Sequence, residues 1–301
     1  MIRSSLRALA ALVVVATFVA IPVGVTHAQS ASQAITISPA STRLSIDPGA
    51  TVTDDFEIIN GGENGYKVDL SVSPYRVVGE QYDPNFTQLP GTVDASEWVT
   101  LSRSSEELDG QKVLSVSYTV TVPENTAPGG YYAVIFAQTS QSEESEASGV
   151  IPHNRVGNIL YITVNGDVEQ SGDATGSAIP FLTFSPSVPV SIKVSNSGGV
   201  HFETKATFRV TDFRGNEVFK SEVDRFVLPS TVRDISASWD SPLPFGIYTV
   251  ERSATVAGET VQLNPEKIVV ISPWFLFCVV IFLGSIITLL VMRIRQRKKE
   301  K

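Results

Sequence analysis

The sequence predicts an all-β ectodomain of two consecutive β-sandwiches, set between an N-terminal signal peptide and one C-terminal transmembrane helix. Three observations predict it. Apolar and polar residues alternate with period two along most of the chain, Gly, Pro, Asn and Asp punctuate these runs at short intervals, and a helical period is confined to the two ends.

Taken from the start, Arg3 and Arg7 precede an uninterrupted apolar stretch, Ala8 to Ile21, and Pro22 and Gly24 lead to Thr26-His27-Ala28. Charged, then apolar, then small is the layout of a secretory signal cleaved after residue 28. An apolar run of 14 residues is short for a membrane anchor.

The first sandwich is expected over residues 31–165. Tyr66, Val68, Leu70 and Val72 alternate with Lys67, Asp69 and Ser71, and Leu114, Val116, Tyr118, Val120 and Val122 alternate with Ser115, Ser117, Thr119 and Thr121. Asp47-Pro48-Gly49 and Asn60-Gly61-Gly62 bracket another strand. Two strands break the half-buried rule: Gly130–Ala137 and Ile159–Val164 are apolar on both faces. Such strands lie in the middle of a sheet covered on both sides or pack against another module; packing within the chain is the expected cover, and a partner-binding face is the alternative. An insertion, Pro74 to Ser96, is long for a sandwich loop and carries Tyr75, Tyr82 and Phe86. Their rings are the candidate ligand-binding residues, suited to stacking on a sugar face or anchoring a protein; folding back onto the sandwich is the structural alternative. Asn85-Phe86-Thr87 is a glycosylation sequon. Gln138 to Gly149 holds Glu143, Glu144 and Glu146 among serines and reads as a solvated hairpin tip.

Residues 166–177 have no apolar run and read as the linker. The second sandwich follows over 178–271: Val188, Val190, Ile192 and Val194 alternate, as do Val200, Phe202, Thr204, Ala206, Phe208 and Val210, and Asp212-Phe213-Arg214-Gly215-Asn216 closes a hairpin. Short strands between such turns read as Ig-like β-sandwiches, here without the Cys…Trp…Cys signature of antibody domains. Ile268–Ile271 is the last strand, with only Ser272 and Pro273 before the membrane.

Trp274 to Met292 is 19 residues without a charge, about 28 Å of helix against a hydrocarbon core of about 30 Å. Residues 293–301 follow as a basic tail. Positive charge marks the cytoplasmic side, so the expected protein is single-pass in the cell membrane, N-terminus outside and C-terminus in the cytoplasm. The chain's net charge of −8 is therefore an average: signal and tail are basic, and residues 29–272 carry 15 basic against 30 acidic groups. That segment disfavours nucleic acid as a partner, and docking onto anionic wall polymers without bridging cations. The single cysteine, Cys278, falls in the helix and excludes a disulfide scaffold and a multi-Cys metal site.

Catalytic chemistry has little to rest on. His27 leaves with the signal, His153 sits in a polar loop, and His201 alternates onto the polar face of its strand. No GxSxG, HExxH or P-loop pattern occurs, so no enzyme activity, cofactor or metal is expected. Asp54 shares a strand face with Val52, Phe56 and Ile58, which fits a sheet-edge position reaching solvent better than a cation ligand.

Ile37-Ser38-Pro39, Ile46-Asp47-Pro48-Gly49 and Phe56–Asn60 resemble the opening of bacterial surface β-sandwich modules. Val122-Pro123-Glu124-Asn125-Thr126-Ala127-Pro128-Gly129-Gly130-Tyr131-Tyr132 resembles a segment of the WxL-interacting protein family, and Asn196-Ser197-Gly198-Gly199 and Phe245-Gly246-Ile247-Tyr248 look like sandwich signatures. The resemblance implies a first domain that binds peptidoglycan and a second that contacts WxL proteins or host ligands. The expectation is a non-catalytic, membrane-anchored docking protein engaging cell-wall glycan or envelope or host proteins, with a chaperone-like protein assembling with surface partners as the alternative.

Overall fold

Strands of alternating polarity bury one face only, so they must stack in pairs of sheets, and they do so twice. The computed structural model describes residues 35–140, 154–185, 187–240 and 245–299, the last five without their side chains. The signal segment, most of the acidic loop and His153 lie outside the described residues.

The first sandwich contains Ile35–Ser38 (β1), Ser41–Ile46 (β2), Thr51–Asn60 (β3), Tyr66–Pro74 (β4), Arg76–Val78 (β5), Asp83–Asn85 (β6), Val99–Leu101 (β7), Ser105–Leu108 (β8), Val113–Thr121 (β9), Gly129–Ser140 (β10) and Arg155–Val164 (β11). One sheet runs β1-β3-β9-β7, the other β2-β11-β10-β4-β8, and β5 and β6 form a separate ribbon. Pairing is antiparallel except that β2 runs parallel to β11. Phe56, Ile58, Val116, Tyr118 and Val120 from the first sheet meet Tyr66, Val68, Ile135, Leu160 and Ile162 from the second, all buried. Each such side chain contributes roughly 1.5–3 kcal/mol over its exposed state. Asp54 lies beyond the reach of β1, which pairs only with Glu57–Asn60, so this stretch of β3 is an edge and the carboxylate accepts from the Tyr118 hydroxyl at 3.3 Å.

The second sandwich contains Gly172–Gly176 (β12), Leu182–Thr183 (β13), Ser187–Asn196 (β14), Phe202–Asp212 (β15), Glu217–Val227 (β16), Thr231–Asp240 (β17), Phe245–Val256 (β18), Glu259–Gln262 (β19) and Glu266–Ile271 (β20). Its sheets run β12-β14-β17 and β13-β20-β18-β15-β16, with β19 beside β18. Val190, Ile192, Phe208, Val210, Val250 and Val270 fill the core, where Trp239 meets Tyr248 edge to face at 4.5 Å. The expected linker is partly strand: Gly172–Gly176 pairs antiparallel with β14. Edge pairing is made by the backbone, and Ala174 is the one apolar side chain that β12 buries. A pattern that reads side chains finds nothing there.

Both sandwiches use the same corner. Asn60 ends β3 and Asn196 ends β14, each buried, and each accepts through Oδ1 from the N–H two residues on, Gly62 and Gly198, at 2.9 Å. Asn60 Nδ2 donates to the carbonyls of Asn64, Leu108 and Asp109, and Asn196 Nδ2 to those of Val200 and Val227. One carboxamide thus satisfies several buried backbone groups at a strand end.

Pro273–Lys299 forms the helix α1, of which Pro273–Ile294 has the length and a mean hydropathy of 2.9 to cross a membrane. Cys278 is exposed on it. Ser272 alone separates β20 from α1.

Candidate functional site

The outer face of β10 and β11 is the apolar surface for which the sequence required a cover. Their register sets Tyr132 opposite Tyr161 and Val134 opposite Ile159, while Ala133, Ile135, Leu160 and Ile162 point into the first core. The cover comes from two sources within the chain. The insertion lays Phe86 edge to face on Phe136 at 4.9 Å, with the Arg155 guanidinium 3.4 Å from the Phe136 ring centroid. The second sandwich brings Phe226, its ring centroid 4.5 Å from that of Tyr161, and His201, 5.2 Å from the same ring.

The insertion is also a strap. β5 and β6 form a hairpin whose tip reverses through Gly79 and Tyr82, both at positive φ, +67° and +63°. Tyrosine in this left-handed region is uncommon and needs surrounding structure to hold it. Here its hydroxyl bonds to Thr231 Oγ1 and accepts from the Leu228 N–H at 2.9 Å, and Arg233 lies 4.2 Å over its ring. The neighbouring Glu80 accepts from the Asp234 N–H through its carbonyl at 2.8 Å and pairs its carboxylate with Lys193. Every one of these partners belongs to the second sandwich.

The three aromatic candidates are therefore split by the structure. Tyr82 is buried against the second sandwich with Tyr161 and Leu228, so a dissolved ligand does not reach its ring; the insertion's length was legible in the sequence and its direction was not. Phe86 is 37 % exposed but occupied with Phe136. Tyr75 lines a cavity of about 240 Å3 with Arg76, Gln88, Thr92 and Tyr131. The polar groups around that cavity are turned to one another: Arg76 donates to the Thr87 carbonyl, Gln88 to Thr92, and the Tyr131 hydroxyl to the Ala127 carbonyl at 2.8 Å. Asn85, the sequon residue, accepts from the Thr87 N–H.

His201 corrects the polar-face expectation. It points away from its own core, as alternation requires, but that side faces the first sandwich, where Tyr132 Oη lies 3.2 Å from its Nδ1. Burial, then the Arg43 guanidinium, hold the imidazole down to about 4. Burial pushes the phenols of Tyr132, Tyr161 and Tyr82 up. These groups are neutral at physiological pH and serve as packing and hydrogen-bonding surface.

Beside this junction lies a cleft of about 510 Å3. Three consecutive residues of β2, Arg43, Leu44 and Ser45, form one wall, Thr163 to Gly166 the floor, and Val200 to Glu203 with Phe226 the far wall. β2 is the edge of its sheet. Arg43 reaches across the cleft, donating to Glu203 at 3.2 Å and lying 4.7 Å from the Phe226 ring. Sequence reasoning missed Arg43, Phe226 and Leu228; the clue available was the doubly apolar β10 and β11, which require partners, together with the consecutive apolar residues Phe226-Val227-Leu228 where β16 ends.

Among solved structures, the chain is similar to the class 5 fimbriae chaperone CfaA, with 9 % identity over 78 % of this chain and 99 % of that one at a TM-score of 0.41. It is also similar to the E. coli chaperone DraB, with 12 % identity over 78 % and 96 % at 0.37. PapD-like domain 7 of human CEP192 shares 21 % identity over 45 % of this chain and 88 % of that one at 0.32. No family model matches the sequence, and no curated protein matches it.

Proposed function

We propose that this chain is a non-catalytic, membrane-anchored docking protein of the bacterial envelope, and that its cleft receives an extended segment of a protein partner. The observation that carries the reading is the edge of β2 opening onto the cleft between the sandwiches. An unpaired strand edge presents a row of backbone donors and acceptors, and an extended peptide is the ligand that matches it; flanking side chains then set specificity. Arg43 and Glu203 supply a charged pair at the mouth, exposed enough to exchange partners at little cost. The glycan reading loses ground because Tyr82 is spent on the strap and the polar groups beside Tyr75 are bonded among themselves. The Val122–Tyr132 motif, which forms the approach to β10, supports kinship with WxL-interacting surface proteins. The basic residues at the end of α1, from Arg293 on, support a cytoplasmic C-terminus.

Photo-crosslinking in intact cells tests this, with a photoreactive residue at Ser45 or Glu203 and a control at Val113, which is exposed on β9. Discrete protein adducts from the two cleft positions are expected; they persist after enzymatic digestion of wall glycan and weaken when Arg43→Glu is introduced. Adducts that disappear with the glycan, or no more adduct from the cleft than from Val113, would overturn it.

A further inference from the structure

The end of the second sandwich farthest from the junction carries its exposed aromatic surface. Register defines that end. Ile271, last in β20, pairs with Phe245, first in β18. Leu182 and Thr183 of β13 pair with Val269 and Val270. Asp212, last in β15, pairs with Tyr248, so the turn that follows lies level with Phe245 and Ile247. Phe181 is 70 % exposed here, Phe184 51 %, Phe213 68 % and Phe245 45 %. Among the described residues of this sandwich every exposed phenylalanine sits at this end, while Val227 and Leu228 at the other end are buried.

Charge is sparse at the same place. Residues 174–192 and 241–250 contain no Asp, Glu, Lys, Arg or His. Asp212 is turned into its own hairpin, accepting from the N–H groups of Arg214 and Asn216, and Glu217, opposite Thr211 at the start of β16, is paired with Arg209, which leaves Asp240 as the acid without a pairing of this kind at the strand ends. The guanidinium of Arg214 lies 5.0 Å from the Phe213 ring.

Chain continuity says what covers the rings. One residue, Ser272, separates β20 from α1. Trp274 on the first turn of α1 is 76 % exposed, and Phe275 stacks on Phe245 at 5.7 Å. A span that begins at Pro273 brings the headgroup layer level with these rings, where aromatic side chains and Arg are at home.

We propose that the second sandwich is seated in the bilayer surface through Phe181, Phe184, Phe213, Phe245 and Trp274, with Arg214 at the lipid phosphates, and is more than tethered by α1. The proposal rests on α1 being a membrane span. Seating fixes the tilt of the sandwich and, through the strap, the direction in which the cleft opens.

The test uses the full chain in vesicles of phosphatidylcholine and phosphatidylglycerol, labelled with an environment-sensitive fluorophore on a single cysteine. Native Cys278 reports on α1. In a Cys278→Ala background, Phe184→Cys and Phe245→Cys report on the rim and Val113→Cys on the first sandwich. Labels at 184 and 245 are expected to emit to the blue of the label at 113 and to be quenched by lipids carrying a nitroxide near the headgroup, with 113 unquenched. Water-like emission at 184 and 245 beside hydrocarbon-like emission at 278 would overturn seating while leaving the span intact. Water-like emission at 278 would remove the span, and seating with it.

Discussion

His201 shows how a single residue can tie the junction to pH. Its imidazole is held down to about 4 in the folded chain, against about 6.5 unfolded. Between those values the unfolded chain binds a proton that the folded one refuses, so stability falls as pH drops through the window and levels off below it. The contribution is about 2 kcal/mol once residual solvent access is allowed for. Thermal unfolding of the full chain in detergent at pH 7.5 and pH 4.5 is expected to show a larger loss of midpoint for wild type than for His201→Gln. Equal losses would mean that the acid sensitivity lies elsewhere. The sequence showed which way His201 points relative to its own strand, because period two settles that. What it faces depends on a contact between residues far apart in the chain, and alternation carries no information about that.

At the scale of elements, the second sandwich is fastened through Arg252 on β18. This side chain is buried, donates to the carbonyls of Ser177 and Ser191, and pairs with Glu266 on β20. It thereby joins the connection that follows β12, the middle of β14 and the last strand before α1. Removing one partner from a buried pair leaves a charge without compensation, whereas removing both can be far milder. Because the Glu266 side chain keeps partial exposure, Glu266→Ala is expected to cost about 2–3 kcal/mol, below the range for a fully buried pair, and Arg252→Met with Glu266→Ala less than the sum of the single changes, by thermal unfolding of all four proteins. Strict additivity would contradict the coupling. Most strands were legible, since β4, β9, β14 and β15 alternate cleanly. β12 was not, because an edge strand needs backbone partners and only one buried side chain. Tyr82 was legible as an aromatic in a long insertion, but a left-handed residue at a hairpin tip decides its direction, and side-chain pattern does not encode that turn.

For the whole molecule, the strap, the aromatic junction and the Arg43–Glu203 pair make two sandwiches act as one body. The hydroxyl of Tyr82, the carbonyl and carboxylate of Glu80, and the Gly130 N–H donating to the Gly199 carbonyl at 3.0 Å all bridge between them. The doubly apolar strands in the sequence already required such a cover, and the structure supplies it from the insertion and from Phe226, His201 and Leu228. Fixed geometry gives the cleft a constant shape, and under the proposed docking role a segment is received without paying to order the walls. Pulsed electron–electron resonance between spin labels at Val113→Cys and Asp224→Cys, in the Cys278→Ala full chain reconstituted in bilayers, tests this most directly. The account predicts one narrow distance distribution that broadens when Tyr82→Ala is added; a broad distribution in the chain with Tyr82 intact would contradict it.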